Sequence, residues 1–216
     1  MRVKICGIAE AAGFDAAVAA AADLVGFVFF PPSPRAVSPA GAAALSARHE
    51  GGPGRVGLFV DPDDAEIAAV LDALPLDLIQ LHGAERPDRV AAVRARFGVP
   101  VMKAVGVAAR AEAEDAVAAY APVADSLLFD AKPPPGATRP GGNAVAIDAA
   151  MLRGLAVPVP WLLAGGLTPE TVASAILASG APGVDVSSGV ERSPGVKDPA
   201  SIRRFVAAAR AARPAA

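Results

Sequence analysis

Eight short apolar runs punctuate the chain, at residues 3–6, 24–30, 55–60, 78–82, 101–105, 126–130, 161–164 and 184–187. None alternates cleanly with polar residues. A strand that stays apolar at consecutive positions is buried on both faces, the condition of a parallel sheet covered by helices. Between the runs lie alanine-rich stretches with helical periodicity, among them residues 11–22, 63–73, 87–97, 111–120 and 169–178. Asp61-Pro62, Thr168-Pro169 and Asp198-Pro199 each predict a helix start, with an N-cap residue ahead of a proline at the first helical position.

The spacing comes to roughly 27 residues per strand-and-helix unit, near the minimum for a βα repeat. Eight such units predict an α/β fold, a single-domain (β/α)8 TIM barrel over residues 1–216. The competitor is an open doubly wound sheet, but its usual Gly-rich turn after the first strand is missing from Cys6-Gly7-Ile8-Ala9-Glu10. No linker divides the chain. Residues 132–142, rich in Pro and Gly, follow a strand directly and read as a functional loop. Gly51-Gly52-Pro53-Gly54 reads as a plain turn on the opposite face.

Composition narrows the function classes. An apolar fraction of 53% with mean hydropathy +0.42 supplies a substantial core. One cysteine excludes an intramolecular disulfide framework and a cysteine-rich metal site, and it fits a reducing cytoplasm, the expected location. Two well-separated histidines give no expectation of a His-based metal site. Met1-Arg2 leads straight into a strand and no apolar run approaches about 18 residues, so neither a signal peptide nor a membrane span is expected. A net charge of −2 and a pI near 5.7 argue against a nucleic-acid partner but leave room for a local phosphate pocket.

In a barrel the chemistry lies at the C-terminal ends of the strands. Those ends are Cys6, the loop from Phe30 to Arg35, Val60-Asp61, His82, Lys103, Asp130, Ala164-Gly165-Gly166, and the stretch from Asp185 to Gly189. Taken alone, Cys6 is either an inert core filler or a reactive thiol. Gly165-Gly166, with Ser187-Ser188-Gly189 in the next loop, predicts a phosphate site, because glycines let backbone amides approach an anion. His49, in a helical stretch, reads as a solvated surface residue.

The segments KICGI (4–8), GFVFFPPSPR (26–35), VGLFVD (56–61), IQLHG (79–83), KAVGV (103–107), LLFDAK (127–132), LLAGGLTPE (162–170) and VDVSSGVE (184–191) together resemble phosphoribosylanthranilate isomerases. They occur in family order and span about residues 3–206. The resemblance implies an Amadori rearrangement of N-(5-phosphoribosyl)anthranilate to 1-(2-carboxyphenylamino)-1-deoxyribulose 5-phosphate, in tryptophan biosynthesis, without metal or organic cofactor. It implies Cys6 as general base, Asp130 as general acid and Arg35 as the ligand of the anthranilate carboxylate. His82 and Asp185 become further substrate contacts, and Gly165, Gly166, Ser187, Ser188 and Gly189 hold the phosphate. The implied partner is this small molecule, and the implied assembly a monomer or a homodimer. Two alternatives stand beside it. The related isomerase of histidine biosynthesis typically pairs two carboxylates, which Cys6 does not fit. A redox-sensing barrel would use Cys6 as the sensor.

One difficulty accompanies the acid–base pair. With ordinary pKa values of roughly 8.5 for Cys and 3.9 for Asp, a neutral solution gives thiol plus carboxylate, whereas catalysis needs thiolate plus acid. A thiolate also needs a positive neighbour, for which Lys4 and Lys103 are candidates. The chain departs from the family after Asp130. Gly141-Gly142 is kept, but the usual Phe-Asp-Trp reads Ile147-Asp148-Ala149, so this loop is expected to close differently.

Overall fold

A computed structural model describes residues 1–132, 136, 141 and 146–212. Eight parallel strands close into a barrel in chain order: β1 (Arg2–Cys6), β2 (Leu24–Val28), β3 (Gly54–Phe59), β4 (Leu78–Leu81), β5 (Val101–Val107), β6 (Ser126–Ala131), β7 (Trp161–Leu163) and β8 (Gly183–Val186). Each falls within a residue or two of an apolar run. Closure is made where β1 pairs with β8, with Lys4 directly opposite Asp185.

The two-residue period of a strand decides what each side chain meets. Val3 and Ile5 of β1 pack outward with helix residues such as Phe14, Ile202 and Phe205. Leu24, Val56, Leu78, Met102, Leu128 and Leu162 fill the barrel interior. Lys4 and Cys6 share the inward phase of β1, Gln80 and His82 that of β4, Asp130 that of β6, and Asp185 that of β8. Near the mouth the filling gives way to a small apolar group of Cys6, Val28 and Leu58, flanked by Phe30 and Val60. Most of the inward polar groups therefore gather toward the top of the barrel, where the apolar layers end.

The covering helices are α1 (Ala11–Ala19), α2 (Pro39–Ser46), α3 (Asp64–Ala73), α4 (Pro87–Phe97), α5 (Arg110–Tyr120), α6 (Val172–Ser179) and α7 (Pro199–Ala211). Of the three Asp/Thr-Pro starts, only Asp198-Pro199 begins a helix as expected: Asp198 accepts from the amides of Ala200 and Ser201. Helix α3 is capped by Asp63, which exchanges side-chain and backbone bonds with Glu66 in a capping box. Asp61 is held outside it at φ +47°, accepting from the Ala84 amide. Helix α6 starts after Thr171, not Thr168. Thr168 instead accepts from the Glu170 amide through its hydroxyl and from the Val172 amide through its carbonyl.

Two further features depart from the regular repeat. Between β6 and β7 the cover is a short 3-10 turn, Ala149–Leu152, capped by Asp148. After β8 the chain makes a small antiparallel hairpin, β9 (Glu191–Ser193) and β10 (Val196–Lys197), which no apolar run announces. His49 lies beyond the end of α2, half-buried against the Phe14 ring, with Nε2 2.9 Å from Asp15. It is thus neither helical nor fully solvated. No helix among the described residues is long and apolar enough to cross a membrane.

Candidate active site

The ten residues singled out from the sequence all line one cleft at the C-terminal end of the barrel, enclosing about 800 Å³ of empty space up to its open mouth. Cys6 stands at the tip of β1 and Asp130 near the tip of β6, both almost fully buried. Around the ring, the loops after β7 and β8 lie between them. Val28, Phe30, Leu58 and Val60 form an apolar wall that sequence reasoning did not identify as part of the site.

Cys6 sits among charges. Lys4, fully buried two residues earlier on the same inward face, places Nζ 2.9 Å from Asp185 Oδ1. Burial by itself pulls the Lys4 ammonium down. Its attraction to Asp185 and then to Cys6 outweighs that and holds it above the ordinary lysine value, so it stays cationic. Burial likewise pushes the Cys6 thiol up. Lys4 and, more weakly, Lys197 oppose that rise, and Asp185 adds to it. Of the two lysines expected to face the thiol, Lys4 does and Lys103 does not. Lys103 takes the outward phase of β5 and binds Glu85 at 2.7 Å and the Gly83 carbonyl at 2.7 Å. The second cation near the thiol, Lys197 on β10, went unread because it belongs to the hairpin and to no strand tip.

Asp130 accepts from the Ala131 amide through Oδ1 at 2.8 Å, and its Oδ2 lies 3.4 Å from His82 Nε2. On the far side of the imidazole, Nδ1 is 3.0 Å from the Gln80 side-chain amide. Gln80, His82 and Asp130 thus form a buried polar row leading into the cleft. Among the described residues His82 Nε2 makes no hydrogen bond. Gly141 lies against both Asp130 and His82. Its neighbours in the expected functional loop, including Gly142, fall outside the described residues.

Arg35 ends the Pro31-to-Pro34 arm. Its aliphatic stem lies on Gly7, where a Cβ would come 2.5 Å from Arg35 Cδ. Gly7, at φ +75°, is therefore the residue that lets the arm pass directly over the thiol strand. The guanidinium forms a fork with Glu191, Nε to Oε1 at 2.7 Å and Nη2 to Oε2 at 2.8 Å. In the loop after β7, expected to hold a phosphate, Gly165 and Gly166 take φ of +90° and +64°. Gly189 abuts the Leu167 carbonyl so closely that no Cβ fits, which locks loops seven and eight together. Ile147 of the departing segment packs over Gly165, its amide donating to the Gly165 carbonyl at 3.3 Å. An aliphatic side chain thus covers this loop, at the position where the resemblance implies an aromatic one.

Comparison with known proteins gives the same assignment. The family model for N-(5'-phosphoribosyl)anthranilate isomerase matches residues 3–208. The isomerase of that name from Paracoccus denitrificans is 62% identical over 209 residues, covering 97% of each chain. Its counterpart from Rhodospirillum rubrum is 56% identical, covering 96% of this chain and 97% of that one. The crystal structure of the Thermotoga maritima enzyme superposes with a TM-score of 0.86 at 36% identity, over 97% of this chain and 98% of that one. A second structure, holding reduced 1-(o-carboxyphenylamino)-1-deoxyribulose 5-phosphate, superposes with a TM-score of 0.81 at 35% identity, with the same coverage. The chain belongs to the N-(5'-phosphoribosyl)anthranilate isomerase family.

Proposed function

We propose that this isomerase of tryptophan biosynthesis rearranges N-(5'-phosphoribosyl)anthranilate with Cys6 as general base and Asp130 as general acid. One observation carries the assignment of roles. A thiol and a carboxyl reach the same cleft from β1 and β6, with the two glycine-bearing loops between them on the ring. A phosphate held by Gly165, Gly166, Ser187, Ser188 and Gly189 lays the sugar between the two groups.

The protonated Asp130 gives its proton to the ribose ring oxygen, the C1–O bond breaks, and an iminium forms at C1. That iminium acidifies the proton on C2, which the Cys6 thiolate removes, leaving an enolamine that tautomerises to the ketone. Turnover leaves thiol and carboxylate, and one proton returns from Cys6 to Asp130 through solvent or product before the next cycle. Lys4 keeps the thiolate accessible against burial and against the substrate's own anions. His82 Nε2 meets a sugar hydroxyl, Asp185 makes a further polar contact, and Arg35 meets the anthranilate carboxylate.

The single unpaired cysteine supports a cytoplasmic setting. The catalytic unit is one domain, acting as a monomer or as a homodimer. The test follows anthranilate fluorescence during turnover. Wild type turns substrate over, and Cys6→Ala and Asp130→Asn each lose about 10²- to 10⁴-fold in kcat with unchanged melting temperatures. A wild type without turnover, or variants that keep full rate, would overturn the reading.

A further inference from the structure

Glu191 closes the VDVSSGVE segment and takes no part in the mechanism above. Its side chain is only 4% exposed, and besides Arg35 it serves two more donors. Lys197 Nζ, fully buried, gives to Oε1 at 2.8 Å, and the Gly195 amide gives to Oε2 at 3.3 Å. Lys197 also donates to the Ser187 carbonyl at 2.9 Å, at the start of the second phosphate loop. The hairpin turn at Gly195 presses on the Pro34 carbonyl, so the proline arm and the hairpin interlock by shape as well as charge.

We propose that Glu191 is a positioning residue for substrate binding: its buried carboxylate fixes the Arg35 fork over the cleft and, through Lys197 and Ser187, anchors that arm to the phosphate loop. The proposal rests on the family reading, which gives the substrate a carboxylate for Arg35 and a phosphate for the loops. With Nε and Nη2 committed to Glu191, the substrate carboxylate meets the remaining Nη1 edge, in the orientation the clamp imposes. The Arg35 guanidinium carries the positive charge directed at an anionic ligand; burial pulls the Lys197 ammonium below the ordinary lysine value, against the pull of Glu191. Burial alone would raise Glu191, but the Arg35 hydrogen bond and the Lys197 charge hold it below the ordinary glutamate value, so the hub stays ionised. Removing it takes from two buried basic side chains the acceptor they share.

The clamp is tested by binding the reduced product analogue, 1-(o-carboxyphenylamino)-1-deoxyribulose 5-phosphate, to wild type, Glu191→Gln, Arg35→Met and the double variant, with melting temperatures measured alongside. Expected is a weakening of about 10- to 100-fold for Glu191→Gln, shrinking to less than about 3-fold in the Arg35→Met background, because the carboxylate acts through the arginine. A hairpin staple without a positioning role would lower the melting temperature and give costs that multiply. Glu191→Asp keeps the charge and withdraws it by one methylene; expected is a folded protein with weakened binding, which covers the case in which Glu191→Gln does not fold. Overturning results are multiplying costs, or analogue binding in Glu191→Asp that matches or exceeds wild type. Those results leave wild-type turnover, and the family reading, intact. A wild type that neither binds the analogue nor turns over removes the family reading and the clamp with it.

Discussion

At the scale of single residues, the reactivity of Cys6 is a balance between burial, which disfavours the thiolate, and two unequal charged neighbours. Lys4 lowers the thiol and Asp185 raises it, while each pairs with the other. Substitutions at the two must therefore move Cys6 in opposite directions. Asp185→Asn keeps the shape, deletes the repulsive charge and frees Lys4. The alkaline rise in iodoacetamide labelling of Cys6 is then expected at lower pH than in wild type. Lys4→Met moves that rise to higher pH. With Cys6 as the base proposed above, kcat/KM for wild type is expected to climb with pH through the same titration. Labelling curves that shift the same way in both variants would refute the electrostatic account. The same pair shows what the sequence makes legible. Lys4 and Lys103 look alike as lysines in apolar strands. Counting by two from the residue at each strand tip separates them: Lys4 shares the phase of Cys6, whereas Lys103 shares that of Val101, on the helix side. Lys197 and Glu191 carry no such signal, because hairpin strands of two and three residues are too short to show a period.

At the scale of elements, the two ends of the barrel divide their labour. The lower end is held by Arg55, near the start of β3, whose guanidinium donates to the Ser46 hydroxyl and to the carbonyls of Ser46, His49, Gly51 and Pro53. It also lies over the Phe14 ring at 5.6 Å. The turn at Gly51-Gly52-Pro53-Gly54 is thus tied down by one side chain, which a reading of turn residues alone does not reveal. Arg55→Met is expected to cost about 3 kcal/mol, a fall in Tm on the order of 10 °C. kcat/KM at 25 °C is expected to stay within about 2-fold, since the chemistry occupies the other end. Calorimetry with a turnover assay checks both, and a large activity loss in the folded variant contradicts the division. Helix starts were legible where side chain and proline agree, as at Asp198-Pro199. At residues 61–66 the proline misleads, because the Asp63/Glu66 exchange satisfies two orphan amides where Asp61 would satisfy fewer.

At the scale of the whole molecule, eight repeats at even spacing make the barrel legible, but their count hides how unevenly it is sewn. Strands β5 and β6 are in register over six pairs, from Met102 with Ser126 to Val107 with Ala131. Strands β7 and β8 meet at one, Leu163 with Val184. Beside that seam the described cover is the 3-10 turn Ala149–Leu152, where the other units carry an α-helix. Local opening is easiest where few bonds and little packing must be lost. The seam between β6 and β8 is therefore expected to open before the rest. The chain's one tryptophan, Trp161, stands at the start of β7 with its ring edge on Phe129 at 5.5 Å, and so reports on that seam. In denaturant, Trp161 fluorescence is expected to change at a lower concentration than far-ultraviolet circular dichroism. Amides of β7 and β8 are expected to exchange hydrogen through openings smaller than global unfolding. Coincident transitions and uniform protection would mean instead that the barrel unfolds as one unit. The loops proposed to hold the phosphate spring from these same two strands. Inorganic phosphate, by binding only where both loops are in place, should thus raise the fluorescence midpoint toward the dichroism midpoint. A phosphate effect that lifts both midpoints equally would place the ligand's grip on the whole barrel and not on its weakest join.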